Sequence, residues 1–545
     1  MNSSGLKTLH LTLWQEFSKK SFIIQLITIV LLVNFCRTMI FTRTPKIIFT
    51  ILGAIILFPF FLQKPFYLIF AVVILTASII RSETLPIIPF AGIGSIHTTD
   101  LCLAMLLFYI IGRKLYYRYF YQSDYPIVRT PLDIPLLLFF ASFVIALING
   151  ITLQGGEFNE AFRSFRYVSY YLLFFAITNL VKDKKDLSLL IRGIFFIALT
   201  TALVSIAQQI LGTSFPLIFG RVEILKTKGF GEYAGVTRAI PPGLLLIYFS
   251  LITLICIAVS PGDQGNKLLR IVQIVVLGLG IIFAFYRNMW FTFLFAILLF
   301  FSVAPLHQRA RIIAFGLSGV VAVIILFLYS AVIPSSKIAK IVYASQDRIL
   351  SVSKVKSVTG AGSDTLRGRA RENEDALTQI VENPVIGIGL GTSYRPARWF
   401  LSELKNKVRR KEEKLKVGEG VKEGETKTVT VTREERQLVP QSFFTGMNIH
   451  NSLLNIPLRF GILGSISFLW ISVTFLARGF RNWKKIKDPF CRAVCIGYTV
   501  SYAGTLLTST MDPFLTSWRG VIGIALMWGT NEAIYRLEGI EGQNT

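Results

Sequence analysis

The sequence predicts an all-α integral membrane protein of roughly twelve to fourteen transmembrane helices with one large helix-containing outer loop. Three observations carry that expectation. Of 545 residues, 53% are hydrophobic and only 16% are charged, whereas a soluble domain usually carries about 25% charged residues. Mean hydropathy is +0.58 and phenylalanine alone contributes 45 residues, more apolar chain than one globular core of this length buries. Finally, apolar runs long enough to span a bilayer recur along the chain with a single long polar interruption, between Val332 and His450.

The candidate spans begin near residues 21, 47, 65, 97, 132, 165, 187, 239, 268, 288, 311, 450, 489 and 513. Each runs for roughly fifteen to twenty-five residues. The first follows Lys19 and Lys20 and lacks a small-residue cleavage site, so it reads as an uncleaved first helix. The chain thus divides into N-terminal helices over 1–333, a large loop over 334–449 and C-terminal helices with a short tail over 450–545.

The formal charge of +26 excludes little by itself. In a membrane protein a lysine and arginine excess reports cytoplasmic loops rather than nucleic acid. The basic turns are Arg113, Lys114, Arg118 and Arg129; Lys182, Lys184, Lys185 and Arg192; Arg309 and Arg311; and Arg478, Arg481, Lys484, Lys485 and Lys487. Counting spans puts all four on one side, which the positive-inside rule makes cytoplasmic. The 334–449 segment is then outside and both termini inside. Arg37, Arg43 and Lys46 fall outside in this count, against the rule. The five cysteines lie in or beside apolar runs and form neither a disulfide framework nor a zinc site.

A loop of about 115 residues exceeds any connector and points to function. Ser363 to Asn383 reads as a helix with Ala370, Leu377 and Ile380 on one face and Pro384 as its stop. Gly387, Gly389 and Gly391 mark tight turns. A nucleotide-binding reading of these glycines fails because neither the preceding strand nor the following helix is present. Lysine, arginine and glutamate dominate the insert at 401–436, which reads as solvated. No internal repeat is visible.

The sharpest motif is the return to the membrane, His450-Asn451-x9-Gly461-x-x-Gly464. On an unbroken helix Gly461 lies within roughly 20 degrees of His450 and Gly464 within roughly 40, with Leu454 and Pro457 on the same stripe. Small residues there admit a close neighbour, and Pro457 is the expected kink. His450 at an outer helix end is a candidate proton acceptor; an interfacial histidine above a packing face is the plainer alternative. Arg287, in the short turn Phe285-Tyr286-Arg287-Asn288, and Arg238, before Ala239-Ile240-Pro241-Pro242-Gly243, are charges between apolar runs, which usually have a partner or a role. An arginine pair beside an outward helix N-terminus suits a diphosphate. Arg367, Arg369 and Arg371 open the loop helix and Arg395 and Arg398 follow its glycines; these could bind sugar or phosphate, and most of them read as solvated charges. No Asp-x-Asp pair occurs, so a metal holding a nucleotide diphosphate has no evident ligands.

Three stretches together resemble the O-antigen ligase and polymerase family of bacterial polytopic membrane enzymes: Gly368-Arg369 through Glu382-Asn383-Pro384-Val385-Ile386-Gly387-Ile388-Gly389, the His450-Asn451 to Gly464 motif, and the Tyr286-Arg287 turn. The match covers about residues 238 to 475, and the insert at 401–436 departs from the usual loop. The resemblance implies a metal-independent, cofactor-free inverting glycosyltransferase of the GT-C class in the bacterial inner membrane. It would take a glycan from undecaprenyl diphosphate and pass it, on the periplasmic side, to a glycolipid or glycan acceptor. His450 would be catalytic, Arg238 and Arg287 would hold the diphosphate, and Arg369 and Asn451 would position substrate or loop. The complete histidine motif favours ligase over repeat-unit polymerase. A polytopic transporter, for example of inorganic carbon, is the competing class; it is disfavoured because the unusual charges gather at one face rather than mid-membrane.

Overall fold

The computed structural model describes residues 64–77, 88–90, 94–122, 127–215, 217–218, 220–225, 236–261, 266–353, 361–395 and 449–540. The expected spans near residues 21 and 47 and the insert at 401–436 lie outside the described residues. The described chain is predominantly helical. In order it forms α1 (Phe66–Thr76), strands β1 (Ile88–Phe90) and β2 (Gly94–Ile96), α2 (Thr98–Phe120), α3 (Asp133–Thr152), α4 (Phe158–Ser169), α5 (Leu173–Leu180), α6 (Lys184–Leu211), strands β3 (Arg221–Ile224) and β4 (Thr237–Ile240), α7 (Leu244–Val259), α8 (Lys267–Phe283), α9 (Arg287–Val303), α10 (Leu306–Val332), α11 (Lys337–Ser353), α12 (Ala361–Glu382), α13 (Ser452–Asn482), α14 (Pro489–Thr508) and α15 (Trp518–Leu537). Among the described residues, α3, α6, α10, α13 and α14 are long and apolar enough to cross a membrane, and α1, α7 and α9 are shorter apolar helices. The protein is therefore an all-α membrane protein in its main architecture.

Local chemistry fixes where the helices begin. Asp183 accepts from the backbone N–H groups of Lys185 and Asp186 to cap α6, and Asp488 accepts from Phe490 and Cys491 to cap α14, whose first residue is Pro489. These contacts satisfy N–H groups that a helix start leaves unpaired. The most central helix is α7, apolar on every side and buried along nearly its whole length, as expected of a helix surrounded by other helices. It packs against α14, α8 and α6. Small residues set the spacing: a Cβ on Gly497 of α14 would meet Thr253 of α7 at 2.8 Å, and one on Gly280 of α8 would meet Ala202 of α6 at 2.8 Å. Such residues let helix backbones approach where lipid offers no hydrophobic drive to associate. By contrast, only 6% of the most apolar window of α10 is buried inside the protein, so its leucines, valines and isoleucines face outward.

The helices share a polarity. Lys184, at the start of α6, pairs with Glu538, just after α15, at 2.6 Å. The Lys487 N–H also donates to Glu538, and Arg311 at the start of α10 donates to the Val259 carbonyl at the end of α7. The basic turns before α6, before α10 and after α13 therefore lie at one end of the bundle. The α13 start, the α8–α9 turn and the α14–α15 turn lie at the other, joined by the Tyr286–Asp512 and Ser452–Asp512 hydrogen bonds.

Two elements differ from expectation. The β3–β4 hairpin, with Glu223 opposite Arg238, was expected to be loop before a helix; α7 begins only at Leu244, after both prolines. The expected unbroken stripe on α13 does not exist either. His450 precedes the helix, and Gly461 has φ 60 and ψ −158, which breaks the helix there rather than at Pro457. Angular counting from His450 through Gly461 therefore fails.

Candidate active site

The break in α13 is filled by the loop after α12. Where an unbroken helix would bond Ile462 N–H to the Leu458 carbonyl, Ile462 donates to Pro384 at 3.0 Å and Leu458 accepts from Ile388 at 2.9 Å. The neighbouring peptides reach the other side: Asn149 of α3 donates to the Gly387 carbonyl at 2.9 Å, and Leu390 donates to Ala146 at 2.9 Å. Gly387, Gly389 and Gly391 have φ of 74, 76 and 77, and a Cβ on Gly389 would strike Gly150 N at 2.4 Å. Left-handed backbone in so narrow a gap admits only glycine. The three glycines thus form a wedge between α3 and α13. The wedge is locked by buried Arg459, whose Nη1 donates to the Gly389 and Thr392 carbonyls at 3.0 and 2.7 Å.

This wedge presses α12 against the start of α13. Ala376 and Ile380 pack with Ile388, Tyr394, Ile449, Leu454 and Leu458, while Leu377 is exposed. The buried face of α12 is therefore rotated from the expected Ala370–Leu377–Ile380 stripe. Glu372, one turn after Arg369, is brought to His450: Nδ1 of the imidazole lies 2.8 Å from Glu372 Oε2. The Arg395 Nη2 donates to the other carboxylate oxygen at 2.8 Å. The Arg395 side chain is only 9% exposed, so it is no solvated charge, contrary to expectation. Burial works against an ionised Glu372, but the hydrogen bond with His450 and the charges of His450 and Arg395 outweigh it and hold the carboxyl below its usual range.

Asn451 caps α13, its side-chain oxygen accepting from Leu453 and Leu454 at 3.1 and 3.2 Å. The same helix start is stitched to the α14–α15 turn: Ser452 N donates to the Ser509 carbonyl and its hydroxyl to the Asp512 carbonyl, at 2.8 and 2.7 Å. Asp512 is buried, accepts from the Tyr286 hydroxyl, and accepts from Asn288 Nδ2 at 2.7 Å. Its carboxyl is pushed up by burial, against the pull of those two donors and of the Arg369 and His450 charges. Behind it, Phe285 holds a φ of 45, a left-handed conformation unusual for a bulky residue. That turn presents Tyr286, Arg287 and Asn288 in succession. Arg238 lies over the Tyr286 ring at 5.8 Å and donates to Glu223 at 2.9 Å.

The sequence-predicted residues thus divide by what holds them. Arg238 lies over the Tyr286 ring, the charge of Arg369 acts on both Tyr286 and Asp512 and that of His450 on Asp512, and Arg287 follows Tyr286 as the first residue of α9. Asn451 serves as a helix cap. Buried Arg238 Nε and Asn455 Oδ1 find no hydrogen-bond partner among the described residues. Beneath the site, a cavity of about 40 Å³ bordered by Tyr167, Asn455, Arg459 and Thr516 has room for water but not for a sugar. Sequence reasoning missed Glu372 and Asp512, and named Arg395 without its carboxylate partner. Asp512 carried a signal, since a lone acid between two apolar runs warrants the same question asked of Arg287. Glu372 carried none, because four of the six residues from Arg369 to Glu374 are charged.

No family model matches this chain, and no curated protein matches it.

Proposed function

We propose that the protein is a metal-independent, inverting glycosyltransferase of the O-antigen ligase type, moving an oligo- or polysaccharide from undecaprenyl diphosphate to a glycolipid or glycan acceptor. In this reading the full chain has twelve to fourteen spans in a GT-C-like arrangement within a bacterial inner membrane. The basic end is cytoplasmic by the positive-inside rule and His450 faces the periplasm. The observation supporting it most strongly is the convergence of His450 with Arg238, Arg369, Tyr286 and Asp512 at the end of the bundle opposite the basic turns.

The chemistry follows from those side chains. His450 takes the proton from an acceptor hydroxyl, whose oxygen attacks the anomeric carbon. The bond from that carbon to the diphosphate oxygen breaks, and the electron pair departs with the lipid diphosphate. Arg238 and Arg287 stabilise the departing charge, and Arg369 positions donor or loop. Among the described site residues, Arg238, Arg287, Arg369 and Arg395 outnumber Glu223, Glu372 and Asp512, a surplus that favours an anionic donor.

The test uses full-length protein in detergent with a lipid-diphosphate-linked oligosaccharide, a panel of acceptors, and EDTA. Transfer that survives EDTA is expected, and the productive acceptor separates ligase from repeat-unit polymerase. Absence of transfer to any acceptor, with solute uptake in proteoliposomes instead, overturns the reading in favour of a transporter.

A further inference from the structure

We propose that Glu372 is the positioning residue for His450: clamped by Arg395, its carboxylate holds the proton-bearing Nδ1 and leaves Nε2 as the nitrogen that receives the acceptor's proton. The role rests on the glycosyltransferase reading, but the geometry beneath it does not. An ionised carboxylate has no proton to donate, so the 2.8 Å contact with His450 Nδ1 is an N–H donated by the ring. A neutral imidazole carries one N–H, so its lone pair must then lie on Nε2. The buried Arg395 guanidinium on Oε1 favours the ionised carboxylate this requires, whether or not the ring is charged.

The carboxylate is itself fixed. Its Oε1 is taken by Arg395 Nη2 at 2.8 Å, and its side chain is 13% exposed while that of His450 is 52% exposed. The rigid partner is inside and the reactive ring is at the surface, as a base working on a large substrate requires. Arg395 follows the wedge that Arg459 anchors to α13. A continuous path of contacts therefore runs from α13 through the wedge, Arg395 and Glu372 back to His450 at the head of the same helix. Among the described residues, Glu372 from α12 contacts the imidazole, Arg395 from the loop contacts Glu372, and Asp512 from the α14–α15 turn feels the charges of both His450 and Arg369 from α12.

In the transfer step, the acceptor O–H bond breaks with its proton passing to Nε2. The oxygen bonds to the anomeric carbon as the carbon–oxygen bond to the diphosphate breaks. The imidazolium that forms retains its Nδ1–H bond to Glu372, which offsets the new charge.

Glu372→Gln makes the decisive variant. Arg395 remains a donor, so it holds the amide oxygen. The amide NH₂ then faces His450 Nδ1 and donates to it, moving the ring proton to Nε2. The chain has 4 histidines, so ¹⁵N-histidine NMR of the full-length protein is sparse, and His450→Ala assigns its signals. The wild type is expected to show a protonated Nδ1 and an unprotonated Nε2, and Glu372→Gln the reverse. Transfer by Glu372→Gln is expected to lose about 10²-fold in kcat with donor KM nearly unchanged, and Glu372→Asp to regain part of it. Glu372→Leu, which removes the acceptor, is the second variant should the first fail to fold; its ring proton also moves to Nε2. A wild-type imidazole already protonated on Nε2, a spectrum unchanged in both variants, or an unchanged kcat overturns the assignment. If no acceptor supports transfer by the wild type, the glycosyltransferase reading fails, and the spectra alone decide whether Glu372 sets the tautomer.

Discussion

The two ends of the bundle treat charge in opposite ways. At the basic end, Arg478 of α13 meets Glu532 of α15 with both carboxylate oxygens engaged, Nε to Oε1 at 3.0 Å and Nη2 to Oε2 at 2.9 Å, and Glu532 is fully buried. At the far end, His450 stands half in solvent against the Glu372 carboxylate and Arg238 retains a buried nitrogen without a partner among the described residues. The first arrangement is a closed bidentate pair that ties two helices. The second leaves donors and a basic ring available to something that arrives later. Charge is thus a buried staple at one end and a part-exposed receptacle at the other, and burial together with completeness of pairing distinguishes the two.

The contrast breaks most sharply under substitution. His450→Ala at the open end is expected to lower transfer by at least about 10³-fold, while thermal stability in detergent and membrane insertion stay at wild-type levels, because His450 lies outside the helix and is half exposed. Retained transfer would sink the catalytic role. Arg478→Met at the closed end strands a buried glutamate, and a loss of about 3–5 kcal/mol is expected, read as a fall in thermal midpoint. The double variant Arg478→Met with Glu532→Met should recover most of it. Gly389→Ala sits between these, since its φ of 76 and the 2.4 Å approach to Gly150 N penalise a Cβ by at least about 1–3 kcal/mol. Its signature is faster proteolysis of the 384–395 loop together with reduced transfer. Tyr286→Phe removes one bond to Asp512 and should cost about 1–2 kcal/mol, in the same thermal assay.

The smallest effect is in acid, where the two carboxylates at the open end carry opposite signs. Glu372 binds its proton less readily folded than unfolded, so its contribution is complete above the ordinary glutamate range and is lost as pH falls through its lowered folded value. Asp512 binds its proton more readily folded, so stability rises as pH falls from its raised folded value to the unfolded one. An acid titration of thermal midpoint should accordingly lose part of its decline in Glu372→Gln. In Asp512→Asn it should lose the opposing gain.

Much of the architecture was legible because hydropathy reports membrane spans residue by residue. Helices begin near most of the expected places from Phe66 to Leu537, although the expected span near residue 165 is divided between α4 and α5 and five described helices are long and apolar enough to cross a membrane; α12 over Ala361–Glu382 matches the expected Ser363–Asn383 closely. What escaped was whatever depends on tertiary exchange of hydrogen bonds. Nothing local to Gly461 says that its helix opens to receive Pro384 and Ile388. Nothing in the β3 segment announces Arg238 as its cross-strand partner. At the site, His450 was visible through its motif, but Glu372 is one charge in a charged run, and Arg395 looked like every other exposed arginine. Their meaning comes from the wedge that buries them.

The opening in α13 also bears on how the protein is made. Gly461 lies about 14 Å along the helix from Ser452 and is packed against Val385 and Ile386, so peptide groups left unpaired there would cost a few kcal/mol. The groups that pair them belong to residues 384–388, which precede α13 in the chain and emerge from the ribosome first. Docking of this segment therefore precedes a stable α13, and a chain in which it failed to dock would carry defective C-terminal helices into quality control.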